Sequence, residues 1–255
     1  MTAWEMLAVF VAGIGAGTIN TVVGSGTLVT FPVLLATGLP PVTATVSNAL
    51  GLIPGSISGA IGYRKELEGQ ARRILKLSVG ALLGGLTGAT LLLVLPATAF
   101  ERIVPVLVGL ALVLVVLQPA IKEKVRRRRA SADSPVRPDG GPLLFAGLTL
   151  ASVYGGYFSA AQGILYVSWM GILLDETLQR LNALKNVLVA VVNAVAALFF
   201  LFVADFDWTA VALIAVGSAL GGQIGAKVGG RLSPTVLRAL IVTVGTVAIV
   251  QLVVH

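Results

Sequence analysis

Between Ala3 and Val23 the chain carries one charged residue, Glu5. The stretches Leu50–Tyr63, Leu77–Leu95, Ile103–Gln118, Leu143–Ala161, Val187–Ala204, Thr209–Ala226 and Ala239–Val254 carry none. Uncharged apolar runs of about 18 or more residues are membrane-helix candidates. A chain that is 56% hydrophobic and only 11% charged cannot hide that surface inside a water-soluble fold. The sequence therefore predicts an all-α polytopic membrane protein of roughly eight to ten transmembrane segments, short broken helices included.

Charge and residue types exclude several functions. The formal net charge is +7, but the basic residues gather in a few loops between apolar runs, as membrane topology requires. That distribution argues against a nucleic-acid partner. There is no cysteine, and the single histidine is the last residue, so neither a thiol nor a histidine metal cluster is available. No Walker A sequence occurs, and no cofactor is implied. The start, "MTAWEMLAVF", lacks the basic region of a cleavable signal peptide, which predicts that Ala3–Val23 is kept as a helix.

The chain also repeats itself. "GALLGGLTGA" at Gly80–Ala89 recurs as "GSALGGQIGA" at Gly217–Ala226, 137 residues on. At that offset, within one residue, "FERIVPVLVG" at Phe100–Gly109 falls opposite "VLRALIVTVG" at Val236–Gly245. "VGSGTLV" at Val23–Val29 falls opposite "AAQGILY" at Ala160–Tyr166, and Asn48 opposite Asn186. Two membrane repeats, 1–120 and 143–255, follow, joined by a basic linker over 121–142 that contains "KEKVRRRRASADSPVRPDGG". Its four consecutive arginines read as a cytoplasmic positive-inside anchor, with binding to acidic lipid head groups or to a partner as the alternative.

Charge placement sets the orientation. Arg64, Lys65, Arg72, Arg73 and Lys76 crowd one loop, expected in the cytoplasm with the linker. Arg180, Lys185, Lys227, Arg231 and Arg238 are expected on the same side, with the acidic loop "ADFDW" at Ala204–Trp208 outside. That acidic loop is the repeat counterpart of the basic one, so the two halves are predicted to be inverted.

Each half contains one short segment, 27–39 and 163–174, preceded by a Gly-rich break at Gly24, Ser25, Gly26 and at Ala161, Gln162, Gly163. Twelve or thirteen helical residues rise only about 18–20 Å, short of a hydrocarbon core. Such a segment either crosses obliquely or turns back as half a hairpin; the sequence permits both. Irregular backbone survives in a membrane only inside protein or around a cavity. A break followed by a short segment, in matching places of two inverted halves, points to a transporter's binding site. Helices starting at Thr27 and Ile164 would turn free N–H groups toward an anion. The "GxxxGGxxGA" pair reads instead as helix packing through small residues.

After each short segment comes a polar helix face. In "LNALKNVLVAVVNAV", Asn182, Lys185, Asn186 and Asn193 share one side of a helix. Their counterparts are Ser47 and Asn48, followed by Gly51, Gly55 and Gly59. Polar groups inside a membrane bundle are costly and mark functional sites. The competing readings are interhelical hydrogen bonding for the asparagines and snorkelling to the cytoplasmic interface for Lys185. No Asp or Glu lies in an apolar span past Glu5, and Ser25 and Ser159 have no base to activate them, which argues against an intramembrane enzyme.

"GTINTVVGSGTLVTFPVLLATGLPPVTATVSNALG", Gly17–Gly51, resembles the signature of the TauE/SafE sulfite-exporter family of bacterial membrane transporters. "YGGYFSAAQGILYVSWMGIL", Tyr154–Leu173, resembles its degenerate second copy, with fewer glycines than is usual there. The resemblance covers nearly the whole chain. It implies an inner-membrane carrier of sulfite, sulfonates or related organic anions.

The expected function is alternating-access transport of a small anion, with export the direction implied by the resemblance. Gly24, Ser25, Gly26, Thr27, Ala161, Gln162 and Gly163 would bind anion oxygens; Ser47, Asn48, Asn186 and Asn193 would orient them, and Lys185 would supply charge. An anion channel, a carrier of a non-sulfur anion and a structural subunit remain alternatives, and a homodimer is an open assembly. A monoanion leaving a cell gains about 2.3 kcal/mol per 100 mV, so export needs no coupling ion.

Overall fold

The computed structural model describes residues 1–130, 140–228, 235, 239 and 241–246. Residues 131–139 of the expected linker, and most of the expected last span at Ala239–Val254, lie outside the described residues. Among those described, the chain is helical and contains no strand.

Helix α1, Ala3–Val22, starts on a capping box in which the Thr2 side chain accepts from the Glu5 N–H and the Glu5 side chain accepts from the Thr2 N–H. Then come α2, Thr27–Ala36, and the pair α3, Pro41–Gly51, and α4, Ile53–Gly62. The pair is one helix bent at Leu52, where Pro54 removes a backbone donor and its ring crowds the preceding turn. A short 3-10 turn, Arg64–Leu67, leads to α5, Ala71–Val94, and α6, Ala97–Ala130. The second half contains α7, Gly141–Tyr157; α8, Gln162–Leu173; α9, Leu178–Phe200; and α10, Trp208–Val228. By length and composition, α1, α5, α9, α10 and the Thr98–Ala120 part of α6 can cross a membrane, which makes this a multi-pass membrane protein.

Several expected boundaries shift, and for one reason. The span expected at Leu50–Tyr63 begins at Pro41, and that expected at Val187–Ala204 begins at Leu178. The added stretches carry Thr45, Ser47 and Asn48, or Lys185 and Asn186, all buried inside the bundle. The expected linker begins as helix: α6 runs on to Ala130, helped by a Glu123–Arg127 ion pair at 2.8 Å.

The short segments are half-hairpins. Gly26 packs on Ala16 and Asn20 while Gly15 faces Val29, so α2 runs back along α1. Gly155 lies against Gln162 and Gly147 against Trp169, so α8 runs back along α7. At about 1.5 Å per residue, these helices of 10 and 12 residues are half the length of a span.

Glycine faces hold the long helices together, as the small-residue reading expected. Gly13 meets Ile214 and Gly217, Gly221 meets Ile14 and Thr18, and Gly225 meets Thr21, which makes α1 and α10 parallel. Gly55 meets Ser218 and Gly62 meets Ala226, which adds α4 in the same sense. Gly80 meets Thr149 and Gly88 meets Tyr157, so α5 and α7 are parallel. Arg73 near the start of α5 reaches Glu176 just before α9, and Gly85 meets Val192, so α9 shares their sense. Arg180 reaches the Glu68 carbonyl beyond the end of α4 while Asn186 lies over Gly59, so α9 is antiparallel to α4. In three pairs the helices thus run opposite to their expected repeat counterparts: α1 to α7, α4 to α9, α5 to α10. That arrangement is compatible with inverted repeats. Between α4 and α9 lies an apolar recess of about 430 Å³ that no candidate residue lines.

Candidate functional site

The two hairpin turns touch each other. Gly24, between α1 and α2, has φ +91, and Ser159, between α7 and α8, has φ +64. The Gly163 N–H donates to the Gly24 carbonyl at 3.1 Å. A Cβ on Gly24 would fall 2.5 Å from the Cα of Gly163, and one on Gly163 equally close to the Cα of Gly24. Backbones approach so closely only where both residues lack side chains.

Around this crossing the backbone amides divide into used and unused. The N–H groups of Gly24, Leu28, Val29 and Thr30 go to Ile19, Ser25 and Gly26 carbonyls. Those of Ser25, Gly26 and Thr27 meet no acceptor among the described residues. In the second turn, Ile164 and Leu165 donate to Ala161, while Ala160 and Gln162 meet no acceptor among the described residues. Helix α8 starts two residues before the expected Ile164, which leaves the Ile164 N–H inside the helix. Unpaired N–H groups at the positive end of a helix are suited to an anion's oxygens.

The side chains divide in the same way. Ser25 is wholly buried and its hydroxyl has no partner among the described residues. Asn48 is hydrogen-bonded at both amide atoms within its own half: its Nδ2 donates to Thr27 Oγ1 at 3.1 Å, and its Oδ1 accepts from Thr30 Oγ1 at 2.5 Å. Ser47 Oγ accepts from the Asp207 N–H at 3.0 Å, fastening α3 to the acidic loop. Asn186 is buried with neither amide atom hydrogen-bonded, and Asn193 is buried with Nδ2 unpaired, among the described residues. No hydrogen bond joins Asn48 to Asn186. Ala161 and Gln162 are buried in the second turn. Gln162 Nε2 donates to Tyr166 Oη at 2.8 Å, and Tyr166 Oη lies 2.6 Å from Ser152 Oγ. Ser152 donates to the Leu148 carbonyl, so Tyr166 donates to Ser152 and holds the Gln162 amide in one orientation, with Oε1 buried and unpaired.

Lys185 does not snorkel. Its side chain is wholly buried, and Nζ donates to the carbonyls of Asn20 at 2.7 Å and Thr21 at 2.8 Å. Its Cδ packs against Gly163. The Lys185 amine therefore stands beside the crossing of the two breaks.

Sequence reasoning missed Asn20, Thr21, Ser56 and Tyr166. Asn20 Nδ2 donates to Ser56 Oγ at 3.2 Å, and the buried Thr21 hydroxyl shares the face over Gly59 with Asn186. The legible signal was position: Asn20 and Thr21 are the last polar residues before the first break, and Ser56 lies on the same glycine-bearing helix as Asn48.

At one end of the bundle, Glu176 joins the halves. It accepts from Arg73 of α5 at 2.7 Å and from Arg180 of α9 at 2.6 Å. Burial pushes its carboxyl up, but the two arginines outweigh that and hold it below the usual carboxylate range.

The chain is similar in sequence to known proteins. The profile of a family described as sulfite exporter TauE/SafE matches residues 9–252. "Probable membrane transporter protein YfcA" of Escherichia coli is 28% identical over 233 residues, covering 91% of this chain and 83% of that protein. A "probable membrane transporter protein" of Haemophilus influenzae is 26% identical over 93% of this chain and 91% of its own length. "Probable membrane transporter protein ORF9" of a Sinorhizobium species is 25% identical over 98% and 93%.

Proposed function

Because the chain belongs to the sulfite exporter TauE/SafE family, and so is a membrane transporter, we propose that it carries a small anion, sulfite or an organosulfonate, out of a bacterial cell by alternating access. The observation that supports this most is the meeting of two broken-helix turns at Gly24 and Gly163, with amides at Ser25, Gly26 and Thr27 that meet no acceptor among the described residues. Broken helices that meet at a repeat interface are the usual form of a carrier's site. A channel needs an open path, whereas Ser25, Gln162 and Asn186 are all buried here.

In this reading the amides of Ser25–Thr27 bind anion oxygens, Asn186 and Asn193 complete the coordination, and Lys185 holds positive charge at the crossing. Asn48, Thr27 and Thr30 stiffen the first turn, as Tyr166 and Ser152 stiffen the second. Repeats 1–120 and 143–255 rock about the crossing. The protein sits in the inner membrane with the Arg64–Leu67 turn, the basic start of α5 and the 121–142 linker in the cytoplasm.

The test is anion flux in proteoliposomes across sulfite, sulfonates, sulfate and carboxylates, under an imposed potential. Saturable sulfite or sulfonate flux with counterflow is expected. Saturable flux confined to carboxylates would overturn the substrate, and unsaturable conductance would overturn the carrier.

A further inference from the structure

Helix α1 ends at Val22, so its last carbonyls have no partner within the helix and carry the negative end of its dipole. The Ile19 carbonyl is taken by the N–H groups of Val23 and Gly24. The next two, Asn20 and Thr21, are taken by an ammonium that arrives from the other half of the chain. In carriers built from broken helices, the carbonyls at such a C-terminal end are where a coupling cation binds. The geometry has the ingredients of that site: two adjacent hard oxygens, a buried Thr21 hydroxyl beside them in sequence, and the Gly24–Gly163 crossing next door.

We propose that the Asn20 and Thr21 carbonyls form a monovalent-cation site, and that the Lys185 ammonium is its tethered occupant in place of a free coupling cation. An ammonium is a compact point charge with three donors, suited to carbonyl oxygens. Its four-carbon stem passes over Gly163, where an added Cβ would crowd Lys185 Cδ at 3.0 Å. The cation is thereby supplied by α9 to α1, and every turnover uses the same one. This rests on the carrier reading above.

Two measurements test it. In the first, counterflow of the transported anion by the wild-type protein is compared in sodium, potassium and choline salts. Equal rates are expected; a requirement for sodium or potassium overturns the proposal. In the second, the Lys185→Ala variant, which vacates the site, is followed by thermal unfolding and by counterflow in the same salts and in methylammonium. Loss of counterflow is expected, with partial recovery in methylammonium or sodium and none in choline. The variant's melting temperature should rise with methylammonium or sodium while the wild type's does not. A folded variant that no small cation stabilises overturns the cation site. If the variant does not fold, the wild-type salt comparison decides. Absence of anion counterflow in the wild type under every salt overturns the carrier reading, and the thermal shift then still decides the cation site.

Discussion

Asn48 and Asn186 occupy equivalent places in the two halves, yet their amides have opposite circumstances. Asn48 is bound on both sides by Thr27 and Thr30. Replacing Asn48 with Leu leaves two buried hydroxyls unpaired, which costs about 1–3 kcal/mol each, and a lower melting temperature is the expected readout. Among the described residues Asn186 has no hydrogen bond to lose. Asn186→Leu is expected to leave the melting temperature near wild type and to abolish flux; an equal loss of stability in both variants would mean that Asn186 is structural. Gly24 is constrained twice, by φ +91 and by Gly163. Gly24→Ala is expected to destabilise by about 1–3 kcal/mol from the backbone conformation alone, more with the clash, and to stop transport; unchanged unfolding would contradict the close crossing.

Among elements, the Glu176 bridge is a contact that responds to pH. Glu176 ties the loop before α9 to α5, and its carboxyl is held below the ordinary range. A depressed carboxyl contributes stability above its unfolded value, and that contribution is lost as pH falls through the folded value. The bridge is therefore complete at neutral pH and opens only in acid below the usual carboxylate range. Glu176→Gln is expected to remove the acid-dependent part of unfolding near that range; an identical acid profile would show that the bridge contributes nothing. Much at this scale was legible in the sequence. The glycine breaks, the helix start at Thr27 and the packing role of Gly80–Ala89 and Gly217–Ala226 follow from residue types whose backbone consequences are local. The starts of α3 and α9 were not legible, because buried polar residues look like loop until their partners are known. Nor could local pattern show that Lys185 caps α1, a contact between residues 165 apart in the chain.

For the whole molecule, the inverted sense of equivalent helices and the contact between the two turns give the fold its account of transport. A cysteine-free chain allows this to be followed by single-cysteine labelling. Ser25→Cys, at a wholly buried position, is expected to react slowly with a membrane-impermeant thiol reagent from either side, and to be protected by a transported sulfonate. Fast labelling from both sides at once would describe a pore. The most direct measurement of the central claim, that the two meeting breaks bind the anion, is counterflow of sulfite or a sulfonate in proteoliposomes carrying wild-type protein or Asn186→Leu. The account predicts saturable counterflow in the wild type and none in the variant, with both folded. Undiminished counterflow in the folded variant would place the anion elsewhere and contradict it.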